Sequence, residues 1–179
     1  MKAKIIRYGA YGDGIHMSYL PHLLKDVGYE QVDVECNHKV YQLLCENPYI
    51  DNIKAIEPQE VFRNRERMIF KHWDIISEGY DKVVNLYRTI EYEWLAMEDM
   101  NEYFMSTTYR RKKYGDINYY DITAIEAGYP ELVGRYRGEV YYTPKEHEIV
   151  EKFISGLPGF KVMINLSGTG PHKRFAQVE

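Results

Sequence analysis

Ile5-Ile6-Arg7-Tyr8-Gly9-Ala10-Tyr11-Gly12-Asp13-Gly14, close to the amino terminus, is the stretch that decides the fold. An apolar run with strand character enters a turn holding three glycines, and an amphipathic helical pattern follows at once through Met17, Leu20, Leu23, Leu24 and Val27. Strand, tight turn and helix in that order make the opening unit of an open α/β sheet. Ligands of such sheets gather at the carboxyl ends of strands, beside helix amino termini whose free N–H groups carry partial positive charge. Asp13 stands in the middle of that turn, and two readings of it are open. It is either a helix cap accepting a hydrogen bond from the first turn, with the glycines serving backbone geometry, or a carboxylate at a ligand site. The glycines are spaced G-x-x-G-x-G rather than G-x-G-x-x-G, and no acidic residue closes a clear second strand in the ribose-binding position. A nicotinamide or flavin site is therefore a weak inference.

The chain has 179 residues, enough for one domain with a real core and too few for two full-sized ones. Hydrophobic content of 45% and charged content of 28% are ordinary for a globular protein. A net charge of -4 argues against general nucleic-acid binding, which needs a basic surface. The 18 tyrosines suit sugar or ring stacking, but a tyrosine-rich core explains them equally well and is the favoured reading. Cys36 and Cys45 form no C-x-x-C pair and have no histidine spacing to complete a zinc site, so they read as reduced, half-buried residues of an intracellular protein. No stretch approaches the ~18 to 20 apolar residues that span a bilayer. The expected location is the cytoplasm, with peripheral contact at a membrane surface.

Further along, Gly28 ends the first helical pattern and Gln31 to Cys36 alternates as a second strand, so the sheet is expected to be parallel. Val40 to Asn47 reads as a short helix stopped by Pro48, and Ile53 to Ile56 as a third strand. Gln59 to Trp73 is helical with a basic face, read as solvated. Tyr80-Asp81-Lys82-Val83-Val84-Asn85-Leu86 is the clearest later strand, followed by a helix from Ile90 to Met105; Arg88 falls just beyond the strand, on the rim where Asp13 also lies. Arg110-Arg111-Lys112-Lys113 is a dense basic cluster in a polar loop, open to docking a phosphorylated or membrane-borne acceptor. Tyr120 to Ala127 is helical, Glu139 to Tyr142 reads as a short strand, and Thr143 with Pro144 starts a helix to about Ser155. Lys161 to Leu166 reads as a buried strand, and Ser167-Gly168-Thr169-Gly170-Pro171-His172-Lys173 as a glycine-rich loop suited to a phosphate, though without Walker spacing.

Taken together, these stretches resemble the ADP-heptose:lipopolysaccharide heptosyltransferases, glycosyltransferase family nine. The opening segment is similar to that family's R-x-G-x-x-G-D turn, and Asn47-Pro48-Tyr49-Ile50-Asp51 to its N-P-x-[IV]-D element. Tyr80 to Leu86 is similar to a Y-D-x-x-[IV]-[DN]-L strand, and Asn165 to Phe175 to a phosphate loop ending in K-x-[WF]. The resemblance implies a GT-B fold, two Rossmann-like domains facing a cleft. Residues 1–143 would form the acceptor-side domain, a mostly parallel sheet flanked by helices; residues 144–160 a linking helix and loop; and residues 161–179 the opening strand and loop of a truncated nucleotide-sugar domain.

The implied activity is inverting glycosyl transfer from a nucleotide-diphosphate-sugar, ADP-heptose by family default, to a glycan or lipopolysaccharide-type acceptor, without a metal or other cofactor. Asp13 would be the base. Gly9, Gly12, Gly14 and Arg88 would lie against substrate, and Ser167, Thr169 and Lys173 would hold the donor diphosphate. Tyr8 and Gly14 depart from the family pattern, and 107–119 carries no matching motif. The alternative is a non-catalytic α/β binding module with the same fold.

Overall fold

The computed structural model describes residues 1–57, 66–86, 106, 108–109, 112 and 118–162, with the side chains of 66–71 and 119 left aside. The chain divides into two units, Met1–Tyr141 and Tyr142–Glu179. In the first, β1 (Lys2–Arg7), β2 (Gln31–Cys36), β3 (Asn52–Ala55) and β4 (Lys82–Asn85) make a sheet of order β3-β2-β1-β4. Every pairing is parallel, with Arg7 opposite Cys36 and Ile6 opposite Asn85. The helices are α1 (Tyr11–Met17), α2 (Leu20–Asp26), α3 (His38–Leu44), α4 (Glu66–Ser77) and α5 (Tyr119–Glu126). β2 is buried on both faces from Val32 to Cys36, as a parallel strand between two helical layers is, with Val32, Val34 and Cys36 alternating with the buried Asp33 and Glu35.

The strand order dictates where a ligand fits. From β1 the chain steps outward to β2 and β3, then returns past β1 to β4. Right-handed crossovers put the helices of the outward and return steps on opposite faces, and the direction reverses between β1 and β4. That reversal is the topological switch point, and its crevice opens at the strands' carboxyl ends.

One face carries the larger core: Ala3, Ile5, Val32, Val34, Val84 and Leu86 against Leu20, Leu23, Leu24, Val40, Leu44, Ala124 and Ala127. At seven residues α2 is too short to persist alone in water. The fully buried Leu20, Leu23 and Leu24, each contributing roughly 1.5–3 kcal/mol, hold it in place. The other face is smaller and more polar. Ile6, Tyr8 and Trp73 pack there with Ile56, Ile76 and Val83, and Tyr8 Oη donates to Glu35 Oε1 at 2.7 Å. His72 Nε2 lies 2.7 Å from the same oxygen. Tyr80 Oη donates to Asp33, and Lys4 Nζ sits 5.3 Å from the Tyr80 ring centre. Burial lowers the Lys4 ammonium below its ordinary value, partly offset by Glu35 and Asp33.

Several local expectations need correction. The single helix after the glycine turn is two, α1 and α2, broken at Ser18 and Tyr19. Pro21 sits at the second position of α2, where its missing N–H costs nothing, and Asn47 Nδ2 donates to the Ser18 carbonyl at the break. Glu139 to Tyr142 is irregular rather than a strand. Its Glu139 N–H donates to Ser18 Oγ at 2.7 Å and its Glu139 carboxylate meets His22 Nδ1 at 2.9 Å, so the partners are side chains, not a neighbouring strand. Nor are the cysteines half-buried: Cys36 is fully buried and Cys45 exposed, both as free thiols.

In the second unit, α6 (Pro144–Ser155) opens with Thr143 as N-cap and a complete capping box with Glu146. Residues 58–65, 87–105 and 163–179 fall outside the described residues, and with them the whole helix expected over 90–105 and most of the strand expected over 161–166.

Candidate active site

Beyond Arg7 the chain leaves β1, turns through Tyr8 and Gly9, and enters α1 with Ala10 at the N-cap position. Alanine has no acceptor with which to cap a helix. Asp13, third in the helix, supplies one instead by reaching back, its Oδ2 accepting the Ala10 N–H at 2.7 Å. Asp13 is thus neither the N-cap itself nor a free carboxylate. Its Oδ1 lies 2.6 Å from Arg7 Nη2 in an ion pair, with the Arg7 side chain fully buried and the Asp13 side chain 17% exposed. Arg7 Nη1 donates to the Leu86 carbonyl at 2.9 Å. The guanidinium therefore crosses the switch point, from the end of β1 to the residue following β4.

The turn is fixed from the other side by Asn37, which follows β2. Its Oδ1 accepts from Gly9 N–H at 3.2 Å and its Nδ2 donates to the Gly9 carbonyl at 2.9 Å, so one amide side chain continues the strand pairing past the end of β1. Gly9 itself leaves room for the carboxylate: a Cβ there would stand 2.5 Å from Asp13 Oδ2. Gly12 is exposed, with nothing within 4 Å of a Cβ. Gly14 is buried against α3, where a Cβ would meet Leu43 Cδ1 at 3.2 Å and Val40 at 3.5 Å, so its lack of a side chain serves helix packing. His16, one turn on from Asp13, stacks edge-on against Tyr120 at 5.1 Å between centroids. Burial holds its imidazole below the ordinary value; the Asp13 carboxylate opposes that and the Arg7 guanidinium adds to it.

What results is a carboxylate oriented on both oxygens by rigid partners, with one edge reaching solvent at the carboxyl end of the sheet. An ionised carboxylate offers about four acceptor positions, and the two fixed partners leave others for an incoming hydroxyl. Among the described residues no group of three or more His, Cys, Asp or Glu is placed to hold a metal ion. No described helix is long and apolar enough to cross a membrane. Of the residues read as site candidates, Asp13, Gly9 and Gly12 come together at this turn. Arg88, Ser167, Thr169 and Lys173 lie outside the described residues, as does the basic cluster apart from the exposed Lys112.

The sequence pattern alone assigns no role to Arg7 or Asn37. The signal for Arg7 was present: an arginine between Ile6 and Tyr8 in an apolar strand must be buried, and a buried charge needs a partner. Asp13 is the nearest acid that the turn can bring back to it.

The class these features define is the Rossmann-like α/β fold, with a glycine turn at its switch point. No protein-family model matches the chain, and no curated protein matches it either. Among solved structures it is similar to the glycosyl transferase family 9 from Veillonella parvula DSM 2008, with a TM-score of 0.61 and 15% sequence identity, over 97% of this chain and 56% of that one. The two proteins share their fold, and this chain spans little more than half the length of its neighbour.

Proposed function

We propose that the chain is the acceptor-side part of an inverting glycosyltransferase of the heptosyltransferase type. The observation that carries this reading is the Asp13 carboxylate, fixed by Arg7 and the Ala10 N–H at a partly exposed position beside the switch point. The shared fold with a family 9 glycosyltransferase supports it, and so does the order of motifs along the sequence. In the proposed reaction an acceptor hydroxyl oxygen attacks the anomeric carbon of a nucleotide-diphosphate-sugar. Its proton passes to Asp13, and the bond from that carbon to the diphosphate breaks on the opposite face. Gly9, Gly12 and Arg88 would border the substrates, whereas Gly14 packs on α3, and Ser167, Thr169 and Lys173 would hold the leaving diphosphate. ADP-heptose is the default donor, a glycan or lipopolysaccharide-type lipid the acceptor, and the cytoplasmic face of a membrane the place of reaction.

The test is Asp13→Asn in the protein expressed from its complete gene, assayed for sugar transfer from nucleotide-diphosphate donors. Loss of a general base should lower kcat by about 10²- to 10⁴-fold, with donor affinity little changed and rates expressed per folded molecule, because the variant also takes the charge away from the buried Arg7. Turnover at the wild-type rate in that variant would remove Asp13 from the chemistry. An inert wild-type protein that binds glycans or nucleotides would turn the assignment to a binding module.

A further inference from the structure

We infer that Arg7 is a positioning residue, a brace across the switch point that aims the Asp13 carboxylate and locks it to the exit of β4; this rests on the proposed role of Asp13. The guanidinium is fully buried and uses the two ends of its fork on different parts of the chain, Nη2 on Asp13 Oδ1 at 2.6 Å and Nη1 on the Leu86 carbonyl at 2.9 Å. Leu86 is itself held to β1, its N–H donating to the Ile6 carbonyl at 2.9 Å. Asp13 is thus tied to the residue that follows β4, which is itself hydrogen-bonded to β1. The opposite oxygen of the carboxylate is tied to Ala10 N–H. Two restraints from opposite sides fix both the position and the plane of the group, which keeps 17% of its side chain exposed.

A lysine cannot do the same. Its ammonium is a point charge on a flexible stem, whereas the planar guanidinium presents fixed parallel donors. A lysine at position 7 keeps the charge beside Asp13 and gives up either that contact or the one to Leu86. The consequence is specific to catalysis. A carboxylate displaced by an ångström still binds nothing less and still carries its charge, but no longer meets the hydroxyl in line.

The experiment compares Arg7→Lys, Arg7→Met, Asp13→Asn and the Arg7→Met/Asp13→Asn double variant in the protein expressed from its complete gene, with rates expressed per folded molecule. Loss of alignment should lower kcat of Arg7→Met by about 100-fold, leave KM for donor and acceptor unchanged, and be partly recovered in Arg7→Lys. Because Arg7 acts through Asp13, the double variant should be no slower than Asp13→Asn alone. An unchanged kcat in folded Arg7→Met, or losses that multiply in the double variant, would overturn the inference. If Arg7→Met fails to fold, Arg7→Lys and its combination with Asp13→Asn carry the same comparison. Full activity in Asp13→Asn would sink the base assignment instead, a separate outcome.

Discussion

Two glycines three residues apart in the same turn should respond to the same added methyl with opposite sign. At Gly9 a Cβ would stand 2.5 Å from Asp13 Oδ2 and 2.9 Å from its Cβ and Cγ, all inside contact distance. Gly9 is not among the residues with positive φ, so backbone strain does not enter. Gly9→Ala must then either compress the turn, costing about 1–3 kcal/mol as overpacking, or drive the carboxylate off Ala10 and Arg7, forfeiting charged hydrogen bonds worth about 1.5–3 kcal/mol. These are alternatives rather than a sum, and the stiffer unfolded chain returns about 0.4–1 kcal/mol. The net expectation is a loss of about 1–2 kcal/mol. Gly12→Ala sits in a helix with open space around it and should gain about 0.5–1 kcal/mol in helix propensity. Urea unfolding of both variants, followed by circular dichroism, separates them by midpoint at constant m. A Gly9→Ala protein as stable as wild type would refute the claim that the carboxylate occupies that space.

Asp51 supplies an acid-range prediction. Burial alone would raise its carboxyl, but the Lys25 ammonium and the Val32 N–H, at 2.7 and 2.6 Å, outweigh it and hold the group below the usual 3.8. A depressed carboxyl stabilises the fold fully above that value and loses the contribution as pH falls beneath it. Asp51→Asn should therefore flatten the acid limb of a stability-against-pH curve, and an unaltered limb would count against the pairing. The thiols offer a chemical check. Burial, with Glu35 adding to it, pushes Cys36 up to about 12, while Cys45 is exposed. A disulfide-exchange reagent at neutral pH should titrate one thiol per native chain and both in denaturant; rapid reaction of both in the native protein would contradict the buried placement.

The regular elements whose side chains alternate or repeat locally were legible in the sequence. Gln31–Cys36 and the Thr143–Pro144 helix start stand where pattern and capping chemistry put them. The misread segments are those held by distant side chains. Glu139 to Tyr142 alternates like a strand, yet its N–H and carboxylate are taken by Ser18 and His22, more than a hundred residues away. The break at Ser18 and Tyr19 has a local signal in Pro21, which cannot continue a helix from the preceding turn, whereas its other support, Asn47 Nδ2 donating to the Ser18 carbonyl, lies outside any local window. At the site, Asp13 could be singled out because a glycine turn frames it. The glycine spacing does not specify that Asp13 reaches back to Ala10 from the third position of α1, and the second contact of Arg7, to the Leu86 carbonyl, required knowing that β4 returns beside β1.

The polar layer beneath α4 also answers a question of register. A strand buried on both faces has little in its apolar pattern to forbid sliding by two residues, since such a slip returns every side chain to the face it left. For β1 and β2 that slip would pair Lys4 with Glu35 in place of Asp33 and carry Tyr8 beyond the reach of the fully buried Glu35. The hydrogen bonds from Tyr8 and His72 to one glutamate oxygen therefore act as an index mark between the two central strands. Replacing Glu35 with a nonpolar residue would erase the mark while leaving the sheet its hydrophobic drive to form, and the mispaired sheet that followed would carry the Gly9 turn two residues out of reach of Asn37.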